Sequence, residues 1–188
     1  MRAIAINVGA NTNEPGFRGP LFPDGSFEYI PIPEAKPTAQ QVPTYADLDV
    51  DTDVSGVADR PVHFDPEFPE VGGERYTYGD EHGIKADPLS ELSAGDYLFF
   101  YATLSTTGDP PVWAPPRWGA HVIGHFRLAR DPVTGETYRD LSTAERAVFD
   151  SNAHVKRADF DARVLLLGDA DESRLYEPVG IRPAGRGR

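Results

Sequence analysis

The chain has 188 residues, enough for one domain with a sizeable core. It contains 18 basic and 30 acidic residues, for a net charge of −12, and it has no cysteine. The lack of cysteine excludes disulfides and thiolate metal centres, and no apolar run is long enough for a membrane helix or a signal peptide. We therefore expect a soluble, cytoplasmic protein that makes no contact with a membrane.

The basic residues are 15 arginines and only three lysines. An acidic surface with few lysines is typical of a salt-rich cytoplasm, where salt screens self-repulsion, so we expect a halophilic protein rather than an ordinary acidic one. Residues 1–116 contain 6 basic and 19 acidic residues, a balance of −13, whereas residues 117–188 contain 12 and 11, a balance of +1. A polyanion would therefore contact the C-terminal part.

The N-terminal third predicts short strands between irregular segments. Residues 1–8 (MRAIAINV) form a first strand, and a polar loop with glycine and asparagine follows. After the turn signal Pro23-Asp24-Gly25, residues 27–32 alternate in polarity as an edge strand, which the neighbouring prolines confine to the side of a sheet. Residues 35–75 are mostly irregular.

The strongest strand signals lie in mid-chain. Residues 97–101 (YLFFY) are an aromatic run, and residues 120–128 (AHVIGHFRL) alternate around a glycine. We predict that residues 97–101 and 121–128 pair at the centre of one sheet. The loop between them is rich in proline and contains Trp113.

The remaining elements are shorter. Residues 132–136 predict a hairpin turn, Ser142 or Thr143 caps a helix, and residues 161–167 form a late strand. Together the elements predict an α+β fold with a strongly bent mixed β-sheet or partial barrel, PUA-like in character, and a few short helices. This single domain would span residues 1–182, followed by a flexible tail at 183–188.

Three segments resemble a known family. They are residues 23–33 (PDGSFEYIPIP), 95–100 (GDYLFF) and 152–154 (NAH). Together they resemble the third of the nucleotide modification associated domain families, found near base-modification genes of phages and prokaryotes. The second segment also occurs in PUA-like folds such as EVE and ASCH domains. The resemblance implies a role tied to modified nucleotides, and it supplies no reaction and no catalytic residue.

A first group of candidate ligand-binding residues follows the predicted helix near the C-terminus. It comprises Asn152, His154, Lys156 and Arg157, which could contact a phosphate or a base edge. The alternative is a polar loop with surface salt bridges. The family resemblance favours the binding interpretation.

Aromatic and N-terminal residues supply further candidates. Trp113 and Trp118 could stack on a base, although packing in the loop is the alternative. Asn11 and Arg18 could line a pocket for a base or sugar, because turn chemistry demands neither residue. Asp80 and His82 could form an acid/base pair, but a surface turn explains them as well.

The sequence predicts no metal and no cofactor. His121 and His125 lie four residues apart on a predicted strand, which separates them by about 13 Å, too far to share one ion. A P-loop, a dinucleotide-binding glycine pattern, a nucleophile elbow and a zinc-deaminase signature are all absent from the sequence.

These observations favour recognition of a modified nucleotide or base in nucleic acid, in a DNA-modification or defence context. One alternative is a hydrolase or transferase that acts on a nucleotide or modified base through Asp80, His82, His154 or Asn11. Another is a non-catalytic partner of a base-modification enzyme. The expected partner is thus a nucleic acid or nucleotide with a modified base.

Overall fold

A computed structural model describes residues 1–181 of the chain. Residues 182–188, which include the predicted tail, lie outside the described part. The described strands are β1 (Ala3–Asn7), β2 (Pro20–Leu21), β3 (Ile32–Pro33), β4 (Val62–His63), β5 (Thr77–Asp80), β6 (Tyr97–Thr106), β7 (Trp118–Arg127), β8 (Val133–Thr134), β9 (Val164–Leu167) and β10 (Arg174–Gly180). The helices are α1 (Gly83–Ser90), α2 (Gly135–Asp140), α3 (Thr143–Arg146) and α4 (Ala153–Lys156).

The largest sheet is mixed and is organised around β6 and β7. Its strand order is β1-β6-β7-β10, and β2 also pairs with β6. β1 runs parallel to β6, whereas β6 and β7 are antiparallel along their length, from Tyr97 opposite Arg127 to Ser105 opposite Trp118. The predicted pairing of the two mid-chain strands is therefore confirmed. A register shift after Phe100 marks a bulge, which bends the strand pair.

Alternation along β6 decides which of its side chains face the core. Leu98, Phe100, Ala102 and Leu104 are buried, and the residues between them are only partly buried. Side chains of a strand point alternately to its two faces, so the aromatic run divides into a core face and an outer face. The sheet thus has one face packed on the core.

The core beneath this face is aromatic and centres on Phe68, which belongs to the loop after β4. The Phe68 ring lies 5.3 Å from the ring of Phe100 and 5.3 Å from that of Phe126, in edge-to-face contact. All three residues are fully buried. Replacing such a phenylalanine with alanine typically costs about 3–5 kcal/mol, so this loop is anchored firmly against the sheet.

Two smaller sheets complete the α+β fold that the sequence predicted. β5 pairs with β9, and β9 with β8, all antiparallel, while β3 pairs with β4. None of the three sheets closes into a barrel within residues 1–181. No helix in residues 1–181 is long and apolar enough to cross a bilayer.

Two local predictions were wrong. Residues 27–32 do not form a continuous strand: Phe27 makes an isolated bridge to Leu21, Ile32 pairs with His63 in β3, and Pro31 between them supplies no N–H group to a sheet ladder. The predicted hairpin turn at 132–136 is the junction of β8 with α2. There the Thr134 hydroxyl accepts a hydrogen bond from the Thr137 N–H at 3.1 Å and caps the helix.

Candidate functional site

A cavity of about 290 Å³ lies beside β4, β5 and α4. Its buried wall contains His63, Asp65 and His154. Its more open part is lined by exposed polar residues that include Asn7 and His82. The cavity therefore connects solvent to a set of buried titratable side chains.

Local structure brings these buried groups together. His63 ends β4 and Asp65 follows two residues later, and in extended backbone that spacing places both side chains on one side. His154 lies in the first turn of α4, where its N–H donates to the Asn152 side-chain oxygen at 3.0 Å. The Asn152 cap thus fixes the helix start, and with it the position of His154.

His63, Asp65 and His154 form what we call the histidine–aspartate cluster. The Nε2 atoms of His63 and His154 lie 3.8 and 3.4 Å, respectively, from the same oxygen, Oδ2 of Asp65. The two imidazole rings meet edge to face with centroids 4.9 Å apart. Both Nε2 atoms therefore converge on one carboxylate oxygen.

A second carboxylate holds each imidazole from behind. Glu34 Oε2 lies 2.6 Å from His63 Nδ1, and Asp161 Oδ1 lies 2.8 Å from His154 Nδ1. Because a carboxylate only accepts, each Nδ1 carries a proton and donates it in the hydrogen bond. These contacts fix the orientation of both rings and direct each Nε2 atom to Asp65.

Asp65 is held as firmly as the histidines. The Gly79 N–H donates to its two oxygens at 2.9 and 3.1 Å, and the Asn152 side-chain amide donates to Oδ1 at 3.1 Å. Gly79 also permits the close approach of α4, because a Cβ there would lie 2.7 Å from His154 Cδ2. The sheet backbone is thus packed directly against the cluster.

Arg157 connects the supporting carboxylates. Its guanidinium lies 3.0 Å from Glu34, 2.7 Å from Asp161 and 3.0 Å from Glu81, and Lys36 makes further ion pairs with Glu81 and Asp161. Burial opposes ionisation of Glu34, but hydrogen bonds from His63 and Arg157 outweigh it and lower the Glu34 pKa to about 2. Glu34 therefore stays charged at neutral pH.

The same surroundings shift other groups that face the cavity. Burial lowers the pKa of His154, but the hydrogen bonds to Asp65 and Asp161 and the charge of Asp65 outweigh it, so the net shift is upward. Burial, together with the charges of Asp65 and Asp80, raises the pKa of Tyr78 well above its ordinary value. Tyr78 thus keeps its proton, which it donates to Asp80 at 2.8 Å.

The cavity includes some of the predicted binding residues. Asn11, His154 and Arg157 line it. Asn152 lies directly behind it, fully buried, with its amide donating to Asp65 and to the Thr77 hydroxyl. Lys156 is partly buried and is not among the lining residues described.

The other predicted residues lie in a different place, the tryptophan region, which we define as Arg18, Trp118 and the loop at 107–117. The Arg18 guanidinium lies 5.0 Å from the centre of the Trp118 ring, and the Trp113 ring lies 6.0 Å from that of His121. Both tryptophans are partly exposed. The sequence candidates therefore separate into two regions.

The alternative acid/base pair takes another form. Asp80 accepts from the backbone N–H of His82 at 2.7 Å and from the Tyr78 hydroxyl at 2.8 Å. The His82 ring is exposed and lies 3.5 Å from Glu81. Asp80 thus organises the turn before α1, as the turn interpretation predicts.

Residues of the cavity network that were not among the sequence candidates include Glu34, Lys36, His63, Asp65, Glu81 and Asp161. One signal was present in the extended segment at 62–66 (VHFDP), where a histidine and an aspartate alternate and so share one face. Glu34 and Asp161 gave no such signal, because each joins the site only through the tertiary fold.

The chain matches the sequence model of nucleotide modification associated domain 3 over residues 2–183. It belongs to this family. The resemblance carried by the three sequence segments is thereby confirmed, and the family's description associates the chain with nucleotide modification. No curated protein and no solved structure matches the chain. In this member of nucleotide modification associated domain 3, the buried residues His63, Asp65 and His154 line one solvent-connected cavity.

Proposed function

We propose that the protein recognises a single modified nucleotide or base and binds it in the cavity beside the histidine–aspartate cluster. Small-molecule sites typically have volumes of about 300–1,000 Å³, and this cavity, at about 290 Å³, lies just below that range. It therefore suits one nucleoside-sized ligand. A base that belongs to a nucleic acid would enter it unpaired or flipped out of the helix.

The observation that carries this proposal is that the buried polar wall is fixed before any ligand arrives. Asp65 is held by Gly79 and Asn152, and each histidine is held by its own carboxylate. Groups fixed in this way pay little ordering entropy when a ligand binds, and they discriminate between ligands that differ by one polar group. Such discrimination is what recognition of a modified base requires.

Charge indicates which part of the ligand the cavity contacts. Arg157, a predicted phosphate contact, is already paired with three carboxylates. Asp65, Asp80 and Glu81 line the cavity, and carboxylates accept hydrogen bonds from amino groups but repel phosphate. We therefore place the base or its modification in the cavity, and the phosphate towards solvent.

A second candidate function is an enzyme that acts on the nucleotide or modified base. One observation favours it, the pair of carboxylate-oriented histidines that open into the cavity. Enzymes use this arrangement to hold a catalytic imidazole or a metal ligand in place. Incubation with modified nucleotides, followed by chromatography of the products, distinguishes turnover from binding alone.

Calorimetric titration with free and oligonucleotide-borne bases, modified and unmodified, tests the proposal at high salt. We expect His154→Gln and Asn7→Ala to weaken binding about tenfold or more, because each removes a polar group of the cavity. Asp140→Asn, an exposed change at the end of α2, serves as the control and should leave affinity unchanged.

Variants of the tryptophan region give the binding result that would contradict the proposal. If Trp113→Ala and Trp118→Ala abolish binding while both cavity variants bind normally, the ligand lies on the tryptophans and the proposal is wrong. Loss of about 1–3 kcal/mol per ring would then be expected from base stacking.

A further inference from the structure

Three atoms that commonly bind metals converge on one point of the cavity wall. They are His63 Nε2, His154 Nε2 and Asp65 Oδ2, and His63, Asp65 and His154 have ligand atoms that all lie within 4.8 Å of one another. Ligands about 2.0–2.1 Å from a tetrahedral ion lie about 3.4 Å apart. The observed separations of 3.4 and 3.8 Å to Asp65 are close to this value.

The hydrogen bonds behind these atoms are those of a metal site. Histidines that bind metals usually donate their second ring N–H to a carboxylate, which fixes the tautomer and the ring orientation. Glu34 does this for His63, and Asp161 does it for His154. Asn152 donates to Asp65 Oδ1 and Gly79 to both oxygens, and Oδ2 is the oxygen that lies 3.8 and 3.4 Å from the two Nε2 atoms.

The electrostatic surroundings favour a cation. Five carboxylates line the cavity or contact its wall, and three cationic side chains accompany them, so the balance is −2 with both histidines neutral. The carboxylates are Asp65, Asp80, Glu81, Glu34 and Asp161, and the cations are Lys36, Lys85 and Arg157. A divalent ion would compensate this surplus.

A second nearby group, Glu81, His154 and Asp161, is also compact enough to bind an ion. There, however, the carboxylates already pair with Arg157 and Lys36, and His154 Nδ1 donates to Asp161. An ion at this point would have to displace two cations. The geometry therefore selects the histidine–aspartate cluster.

We propose that His63, Asp65 and His154 bind one divalent first-row transition-metal ion, such as Zn²⁺ or Fe²⁺. Two imidazoles and one carboxylate suit these ions, whereas Mg²⁺ and Ca²⁺ prefer oxygen ligands throughout. Three protein ligands leave coordination positions open, and the cluster lies on the cavity wall, so these positions would face the ligand-binding space. The ion would thus supply a Lewis acid beside a bound nucleotide.

Metal binding is measurable without any nucleotide, so this proposal can fail independently of the proposed function. Protein stripped with a chelator is titrated with Zn²⁺ alone in a calorimeter, and with Co²⁺ while its visible absorption is recorded. We expect one ion per chain, a Co²⁺ spectrum of low coordination number, and a rise in melting temperature with Zn²⁺ concentration. Absence of saturable binding by the wild type would overturn the proposal.

Variants locate the site. His63→Gln, His154→Gln and Asp65→Asn should each weaken Zn²⁺ binding by about 100-fold or more, and Glu34→Gln or Asp161→Asn by about 10–100-fold. The matched control is His82→Gln, an exposed histidine of the same cavity outside the cluster, which should keep wild-type affinity. Equal loss in the control and the ligand variants would show adventitious binding to histidine and overturn the assignment.

If a buried variant fails to fold, the metal site can still be tested in the wild-type protein. In protein labelled with ¹⁵N-histidine, Zn²⁺ should shift the Nε2 resonances of two histidines, whose Nδ1 atoms stay protonated. A shift confined to the exposed His82, or to none of the five histidines, would overturn the proposal.

Discussion

The histidine–aspartate cluster and the tryptophan region are both plausible binding sites, and they are built in opposite ways. His63, Asp65 and His154 are 4–8% exposed, and neighbouring side chains or backbone groups hold every one of them. Trp113 and Trp118 are 40% and 55% exposed. The cluster is therefore fixed by the fold, whereas the tryptophan region presents partly exposed ring surface.

This difference in burial distinguishes a site suited to chemistry from a surface suited to stacking contacts. Buried ionic groups lose much stability when one partner is removed, because the remaining charge has no water to solvate it. Partly exposed rings remain in contact with water, so the removal of one partner costs little stability. Maintaining several buried charges around a cavity is costly, which favours a role that needs them, such as binding a ligand or an ion.

Removal of one cation from each region should give the largest contrast. Arg157→Ala removes a buried cation that pairs with both Glu34 and Asp161, so we expect a loss of about 3–5 kcal/mol in the free energy of unfolding. Arg18→Ala removes a cation–π contact with Trp118 and should cost about 1 kcal/mol or less. Urea denaturation followed by circular dichroism measures both changes.

A conservative variant controls this comparison. Arg157→Lys keeps the charge but replaces the planar fork with a single ammonium group, so its loss should lie between those of wild type and Arg157→Ala. Equal losses of stability for Arg157→Ala and Arg18→Ala would show that the ion pairs behind the histidine–aspartate cluster stabilise the fold no more than the surface contact of Arg18.

A smaller and more local effect is expected at Gly79. A Cβ at this position would lie 2.7 Å from His154 Cδ2, so Gly79→Ala should displace His154 and cost about 1–3 kcal/mol in stability. The proposed binding of nucleotide and Zn²⁺ should weaken in parallel. Tryptophan fluorescence should stay at its wild-type wavelength, because the tryptophans do not line the cavity.

Gly56→Ala is the matched control, since no atom lies within 4 Å of a Cβ at Gly56. It should leave both stability and ligand binding close to wild type. Normal binding of nucleotide and Zn²⁺ by folded Gly79→Ala protein would contradict the close packing of α4 against β5.

The sequence predicted the parts of the fold that local patterns determine. The aromatic alternation of β6 and the turn before it were sufficient to place the central strand pair. The region at 27–32 shows the limit of such patterns: its alternation resembles a strand, but Phe27 bridges to Leu21 and Ile32 pairs with His63, so the two ends of the segment have different partners.

The candidate site was predictable only in part, because its residues come from distant segments of the chain. His154 and Arg157 were found through the family resemblance and the local charge. Their partners Glu34 and Glu81 lie 123 and 76 residues away from Arg157, and no periodicity connects them. The charge asymmetry gave no sign of these ion pairs, in which Glu34 and Glu81 of the N-terminal part pair with Arg157.

The smallest expected effect is the change of stability with salt concentration. The net charge is −12, and acidic residues such as Asp49, Asp51 and Asp53 are exposed, so screening should relieve their repulsion and stabilise the fold. For a domain of this size, each kcal/mol corresponds to about 2–4 °C in melting temperature, and we expect a rise of a few degrees from dilute buffer to molar KCl. The buried Arg157 ion pairs are shielded from the solution, so the loss caused by Arg157→Ala should be the same at every salt concentration.

A melting temperature that stays flat or falls with salt would rule out a halophilic surface. A loss that shrinks with salt would mean that the Arg157 pairs are hydrated, and the contrast between the buried cluster and the exposed tryptophans would then be one of position alone.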